Sequence, residues 1–293
     1  MREMPCLFCG THDERVRFHD GAYRVVECSR CGLVYVNPRL PTEQLHEMYQ
    51  DEYWNSDRAK EFGYAQYLSD ADNYIRTYQR RAALLDAFKP RPGRVLDVGC
   101  AAGFFLKVCR DKGWQTEGIE IARPMIEYAE QSLGLSNMHR GDLLSVDLPE
   151  ASFDVLSMWD VIEHLEEPLE HLHRARKLLR EDGILVLETQ NVDSRFAKIM
   201  GRRWQHYKHE EHLYHFSPST LDHLLRQAGF EVLRNTPRGG GKYVSMDFLV
   251  ERVGKIHPVL SALASPLLLM RGFAPYINLL DEMVVVACKS PDA

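Results

Sequence analysis

The sequence predicts an α/β protein built on a doubly wound, seven-stranded, mostly parallel sheet, preceded by a small cysteine-bearing module. Three observations predict it. From Arg94 onward, apolar strand-like runs alternate with helical segments, the signature of repeated βαβ units. One run, Val95-Leu96-Asp97-Val98, passes through a glycine turn straight into a helix start. The first 40 residues instead hold two Cys-x-x-Cys-Gly pairs separated by short β-type runs.

Seven strands follow from the pattern: Val95–Val98, Gln115–Ile119, Met138–Arg140, Phe153–Met158, Ile184–Glu188, Phe230–Arg234 and Met283–Cys288. Helices are expected at Phe104–Lys112 with Gly113 closing it, at Pro124–Leu133, at Pro168–Leu179, and at Pro218–Ala228 behind a Ser217 cap. Residues 42–92 read as a helical lead-in contributing to the active site, on the spacing of Tyr64, Tyr67, Tyr74, Tyr78, Leu84, Leu85 and Phe88. Residues 1–41 form the N-terminal module and 93–293 the core. About forty residues, 239–281, interrupt the last two strands where a hairpin needs only a few, which marks an insertion acting as a lid, a dimer surface or a membrane-facing segment.

The cysteine pairs, Cys6/Cys9 and Cys28/Cys31, have eighteen residues between them, the spacing of a structural four-thiolate zinc site. Disulfides and buried free thiols are the competing readings. No apolar leader precedes Cys6 and no apolar run reaches the length of a membrane span, so reduced cysteines and a cytoplasmic location are expected. The remaining cysteines, Cys100, Cys109 and Cys288, fall in the glycine turn and on core elements.

With 45% apolar and 27% charged residues, the 293-residue chain is expected to fold rather than remain disordered. A formal charge of −6 argues against a nucleic-acid partner, and residues 1–50 carry six Lys or Arg against seven acids. The partner is therefore expected to be a small molecule, and the protein a monomer or homodimer.

The turn at Gly99-Cys100-Ala101-Ala102-Gly103 reads G-x-x-x-G, with Asp97 two residues before its first glycine. Alone it fits many nucleotide-binding turns. Three further strand ends carry acids: Glu120-Ile121, Asp142-Leu143 and Trp159-Asp160. This ordered series resembles the class I S-adenosylmethionine-dependent methyltransferases over about Arg94 to Asn191. The resemblance implies backbone contacts at Gly99, Cys100 and Ala101, ribose contacts at Glu120, adenine contacts at Asp142 and Leu143, and a wall along the methionine at Trp159-Asp160. Where many members carry glycine this chain has Ala101, which fits if the local φ is negative.

Two histidine-bearing segments follow strands four and five: Glu163-His164, and Trp204 to Ser217 with Glu211-His212 at its centre. Histidines at 209, 212 and 215 recur every third residue, which raises a metal site as a minor alternative. The ribbon, the core and the segment Glu211-His212-Leu213-Tyr214-His215-Phe216-Ser217 together resemble bacterial sugar C- and O-methyltransferases. That resemblance implies a zinc-loaded ribbon, a sugar or nucleotide-linked sugar as acceptor, and Glu211-His212 as the acceptor-side pair, with His164 a further candidate. The alternatives are an RNA or protein methyltransferase that docks through its ribbon, a cofactor-binding regulator, and a methyltransferase acting on a lipid-linked glycan through residues 258–270.

Overall fold

A computed structural model describes residues 1–47, 67–256, 264–270 and 272–291, with side chains described for these except at 46, 47, 255 and 256. Tyr64 and residues 258–263 of the 258–270 segment lie outside the described residues, as do Arg271 and the Lys255 side chain.

The main sheet is laid down by β4 (Arg94–Val98), β5 (Gln115–Glu120), β6 (Met138–Arg140), β7 (Phe153–Trp159), β8 (Leu179–Gln190), β10 (Phe230–Thr236) and β13 (Glu282–Lys289). Their order across the sheet is β10-β13-β8-β7-β4-β5-β6. Strands β4, β5, β6, β7 and β8 pair in parallel, and β13 runs antiparallel to both its neighbours. This is the doubly wound, seven-stranded arrangement that the alternation predicts.

Side-chain alternation along each strand builds two core layers, because successive residues of a strand face opposite sides. Leu96, Leu156, Leu185, Leu187 and Val285 face one layer. Val95, Val155, Val186, Val284 and Val286 face the other. Helices α5 (Pro168–Leu178) and α7 (Pro218–Gln227) cover the first face, and α2 (Ala71–Phe88) and α3 (Phe104–Asp111) cover the second. The remaining α-helices among the described residues are α1 (Thr42–Glu47), α4 (Arg123–Gln131), α6 (Arg195–Met200) and α8 (Met246–Ile256). Ser217 accepts a hydrogen bond from the Thr220 N–H, as its place before α7 predicts.

The N-terminal module is a second, four-stranded sheet: β1 (Glu14–Asp20), β2 (Tyr23–Cys28), β3 (Val34–Val36) and β9 (Tyr214–His215). The last strand comes from the histidine-rich loop, pairing His215 with Val34 and Tyr214 with Tyr35. Val26, Cys28, Leu33 and Tyr35 share one core with α5 and α7. The module's sheet and its core both run on into the main domain.

Within the insertion, β11 (Lys242–Tyr243) and β12 (Tyr276–Ile277) form a short ladder. The Tyr243 N–H donates to Thr77 Oγ1 at 2.9 Å, and the Arg76 and Arg80 guanidiniums lie over the Tyr243 and Tyr276 rings. The base of the insertion is thereby fixed to α2. Among the described residues, no helix is long and apolar enough to cross a membrane.

Candidate active site

The glycine turn joins β4 to α3. Gly99 has φ +66°, and a Cβ there would lie 2.7 Å from Val161 Cγ2. Gly103 has φ +76°, and a Cβ there would lie 2.5 Å from Leu135 Cδ1. Both positions demand glycine for conformation and for space. Ala101 was expected to fit at negative φ; its φ is +47° instead, in the left-handed region. The tight path from Gly99 to Gly103 imposes this, and an L-residue other than glycine costs about 1–2 kcal/mol there.

Glu120 closes β5 and is buried, with 7% of its surface exposed. Its carboxylate accepts from the backbone N–H of Ala101 at 2.9 Å and of Ile121 and Ala122 at 2.8 Å each. A single carboxylate thus ties the turn after β4 to the turn after β5. Burial pushes its pKa up, against those three hydrogen bonds. Asp142 lies exposed after β6, and its Oδ1 accepts from the N–H groups of Leu144 and Ser145. Against partial burial, the Ser145 contacts hold its pKa below the usual value. Leu143 is fully buried in the core.

Asp97, also drawn from the turn motif, points into the fold. It is 2% exposed and accepts from Ser157 Oγ at 2.7 Å. Burial pushes its carboxyl up to about 8. Cys100 is buried behind the turn, and a Cβ on Gly118 would meet its Sγ at 2.7 Å. Trp159 packs on Phe105 and Tyr78 with ring centroids 5.0 and 6.0 Å away.

The C-terminal edge of β7 and β8 holds a dense set of charges. Arg81 from α2 forms a buried ion pair with Glu188 at the end of β8, and its guanidinium lies 5.1 Å from the Trp159 and Tyr78 rings. Lys242, at the root of the insertion, reaches Asp160 at 3.1 Å and Glu282 at 2.7 Å. Against desolvation, the Lys242 ammonium and Arg81 guanidinium hold the Asp160 carboxyl down to about 2. Arg81 Nε, Trp159 Nε1 and Glu188 Oε2 are buried without a hydrogen-bond partner. Orphaned polar atoms gathered at one strand edge are a cost that a polar ligand there would relieve.

The histidine loop packs against this edge. His206 lies 3.5 Å from Asp281 and 3.7 Å from Glu282, and Trp204 Nε1 donates to Asp281 at 2.8 Å. The His164 and His212 rings meet edge to face at 4.6 Å. Burial, then the neighbouring His164 ring, pushes His212 well below its ordinary pKa. The Glu211 carboxylate lies 3.6 Å from Lys208. Glu163 is 1% exposed, and burial followed by the Asp160 charge pushes it up to about 8. Of the three histidines spaced by threes, His209 turns instead to Asp20 of the ribbon, at 3.0 Å. His212 is joined by Glu163 and His164 rather than by His209 and His215.

In the ribbon, the sulfur atoms of Cys6, Cys9, Cys28 and Cys31 lie within 4.8 Å of one another. A tetrahedral zinc ion with ~2.3 Å bonds needs sulfurs roughly 3.8 Å apart, so this donor set fits zinc. Gly10 and Gly32 close the two knuckles at φ +63° and +74°, their N–H groups donating to Cys6 O and Cys28 O.

Sequence reasoning had not singled out Arg81, Glu188, Lys242, Asp281 or Glu282. Glu188 carried a signal, as a charge closing an apolar strand run at the sheet edge where ligands bind in doubly wound folds; Glu282 precedes its run and reaches that edge only because β13 is antiparallel. Arg81 and Lys242 carried none, since they reach the site only through the packing of α2 and the insertion.

The profile of a methyltransferase-domain family matches residues 67–235, more than half of the chain. The chain belongs to this family. A malonyl-[acyl-carrier protein] O-methyltransferase of Serratia marcescens is 27% identical over 138 residues, covering 47% of this chain and 53% of that protein. A ubiquinone biosynthesis O-methyltransferase of Roseobacter denitrificans is 31% identical over 149 residues, covering 47% of this chain and 60% of that protein. The chain thus spans little more than half the length of these curated relatives. The crystal structure of a methyltransferase from Thermotoga maritima superposes with a TM-score of 0.52 at 20% identity, covering 80% of this chain and 97% of that one, a likeness of fold.

Proposed function

We infer that the chain transfers the methyl group of S-adenosylmethionine to a hydroxylated small-molecule acceptor of sugar-like polarity. The observation that carries this reading is Glu120: a carboxylate at the end of β5, held by three N–H groups of the adjoining turns, beside a glycine loop in the family-matched region. Such a carboxylate can accept the ribose hydroxyls once they replace some of these N–H contacts. Asp142 stands at the next strand end for the adenine, and the charges around Arg81, Asp160 and Lys242 suit the amino and carboxylate groups of the methionine. The polar, histidine-rich loop over this edge favours an acceptor rich in oxygen over an apolar one. The net charge of −6 disfavours a polyanion.

The test is calorimetric titration with S-adenosylmethionine, followed by labelled-cofactor assays on nucleotide sugars. Glu120→Ala is expected to weaken cofactor binding by about tenfold or more, because a charge-assisted contact is lost. Unchanged affinity in that variant would remove Glu120 from the cofactor site.

A second reading, an acceptor carried on a lipid, is favoured by the exposed apolar side chains of the insertion. Leu269 is 90% exposed, with Leu267, Met270 and Phe273 also exposed near it in sequence. Sedimentation with anionic liposomes tests it; a protein that stays in the supernatant removes this reading.

A further inference from the structure

We propose that Glu163, His164 and His212 form a divalent-cation site beside the histidine loop, separate from the ribbon. One ligand atom from each lies within 4.8 Å of the others. Glu163 and His212 are 1% and 5% exposed, and His212 Nδ1 is buried with no hydrogen-bond partner. A buried ring nitrogen with nothing to bond is a cost of folding that a metal ion would remove. The donor set of one carboxylate and two imidazoles suits the Fe²⁺, Co²⁺ and Zn²⁺ class, and three protein ligands leave coordination positions open for a guest.

The surroundings hold the ligands in place. Thr189 Oγ1 donates to Glu163 Oε2 at 2.9 Å, orienting the carboxylate from outside the site. The backbone N–H groups of Leu213 and Tyr214 both donate to Glu163 O, at 2.9 and 3.3 Å, which stitches the His212 loop to the turn bearing Glu163 and His164. The nearest cation on this loop, Lys208, lies 3.6 Å from the Glu211 carboxylate, which offsets its charge. The neighbouring acidic group of Asp160, Glu188 and Glu282 differs, because Lys242 and Arg81 already serve its carboxylates.

The chemical role rests on the methyltransferase reading. An acceptor hydroxyl bound to the cation releases its proton to solvent more readily. Its oxygen lone pair then forms the O–CH₃ bond while the S–CH₃ bond breaks. That bonding pair stays on sulfur, so the sulfonium becomes a neutral thioether.

The test is a Co²⁺ titration of zinc-replete protein, read by visible absorption. One Co²⁺ per chain is expected, with d–d bands and no thiolate-to-cobalt charge-transfer band. Glu163→Gln and His212→Ala should each weaken binding by about tenfold or more. Absence of binding, a thiolate band reporting exchange into the ribbon, or unchanged affinity in both variants would each overturn the proposal. If either variant loses its cooperative melt, wild-type protein decides by proton NMR. Co²⁺ should then broaden the ring signals of His164 and His212 while sparing His139, and equal broadening of all three overturns the site. A parallel titration with S-adenosylmethionine keeps the two ideas apart. Cofactor binding without Co²⁺ binding sinks only the metal site, and loss of cofactor binding sinks the methyltransferase reading.

Discussion

The two halves of the candidate site are built by different means. On the side of β4, β5 and β6, the site is a backbone device: two glycines at positive φ and one carboxylate accepting three N–H groups. On the side of β7, β8 and β13, it is a side-chain device. Arg81, Asp160, Glu188, Lys242 and Glu282 come from five separate elements or loops, and the histidine loop is held from outside by the ribbon strand β3. A backbone device depends on residues close in sequence. The side-chain device depends on packing, so disturbing remote parts should damage it while the first half stays intact.

The largest expected effect comes from the ribbon. If the four cysteines hold zinc as their geometry suits, chelation, like Cys28→Ser, should release β3 from β9 and loosen the loop bearing His212. Amide exchange at Leu213 and Tyr214 should rise, and turnover on an identified acceptor should fall on the order of a hundredfold through misplacement. S-adenosylmethionine affinity should fall far less, because Glu120 and Asp142 lie outside this loop. A parallel loss of cofactor affinity would show that the halves are not separable.

The largest effect on stability is expected from Arg81→Ala, which leaves Glu188 buried without its partner. Denaturant unfolding should show a loss of about 3–5 kcal/mol. A change under about 1 kcal/mol would mean that the pair is solvated.

Asp97 supplies a pH test of the backbone half. Its folded pKa of about 8 stands far above the unfolded value of about 3.9. Between those values native Asp97 keeps a proton that the unfolded chain has released. The stability it contributes is therefore complete below about pH 4 and is lost as pH rises through about 8. Asp97→Asn should flatten the decline in stability across that window, and coincident pH profiles would place the charge on native Asp97.

The smallest effect is Ala101→Gly. Relief of the left-handed φ exceeds the added freedom of the unfolded chain, so the variant should gain up to about 1 kcal/mol, or roughly 2–4 °C in thermal midpoint. A lower midpoint would point to a stabilising contact of the Ala101 methyl.

This contrast also explains what the sequence disclosed. All seven strands of the main sheet were legible because each is an apolar run bounded by turn residues, and the four cysteines were legible by spacing. The place of Glu120 and Asp142 at strand ends could be read because each closes or follows an apolar run. The φ of Ala101 could not, since composition does not report how tightly a turn is drawn. Arg81 and Lys242 look like ordinary helix and loop cations until α2 and the insertion pack. Tyr214 and His215 read as loop residues because their strand partners sit in another module, far back along the chain.

The pairing of β3 with β9 also sets an order of events during synthesis. The four cysteines emerge early, yet five strands of the main sheet, β4 to β8, must follow before Tyr214 and His215 arrive. Until then Val34, Tyr35 and Val36 form an uncovered strand edge, open to pairing with another chain. Closure across so long a separation is slow. A nascent chain short of zinc would have neither the metal nor β9 to hold this strand, and would be most exposed to aggregation in that interval.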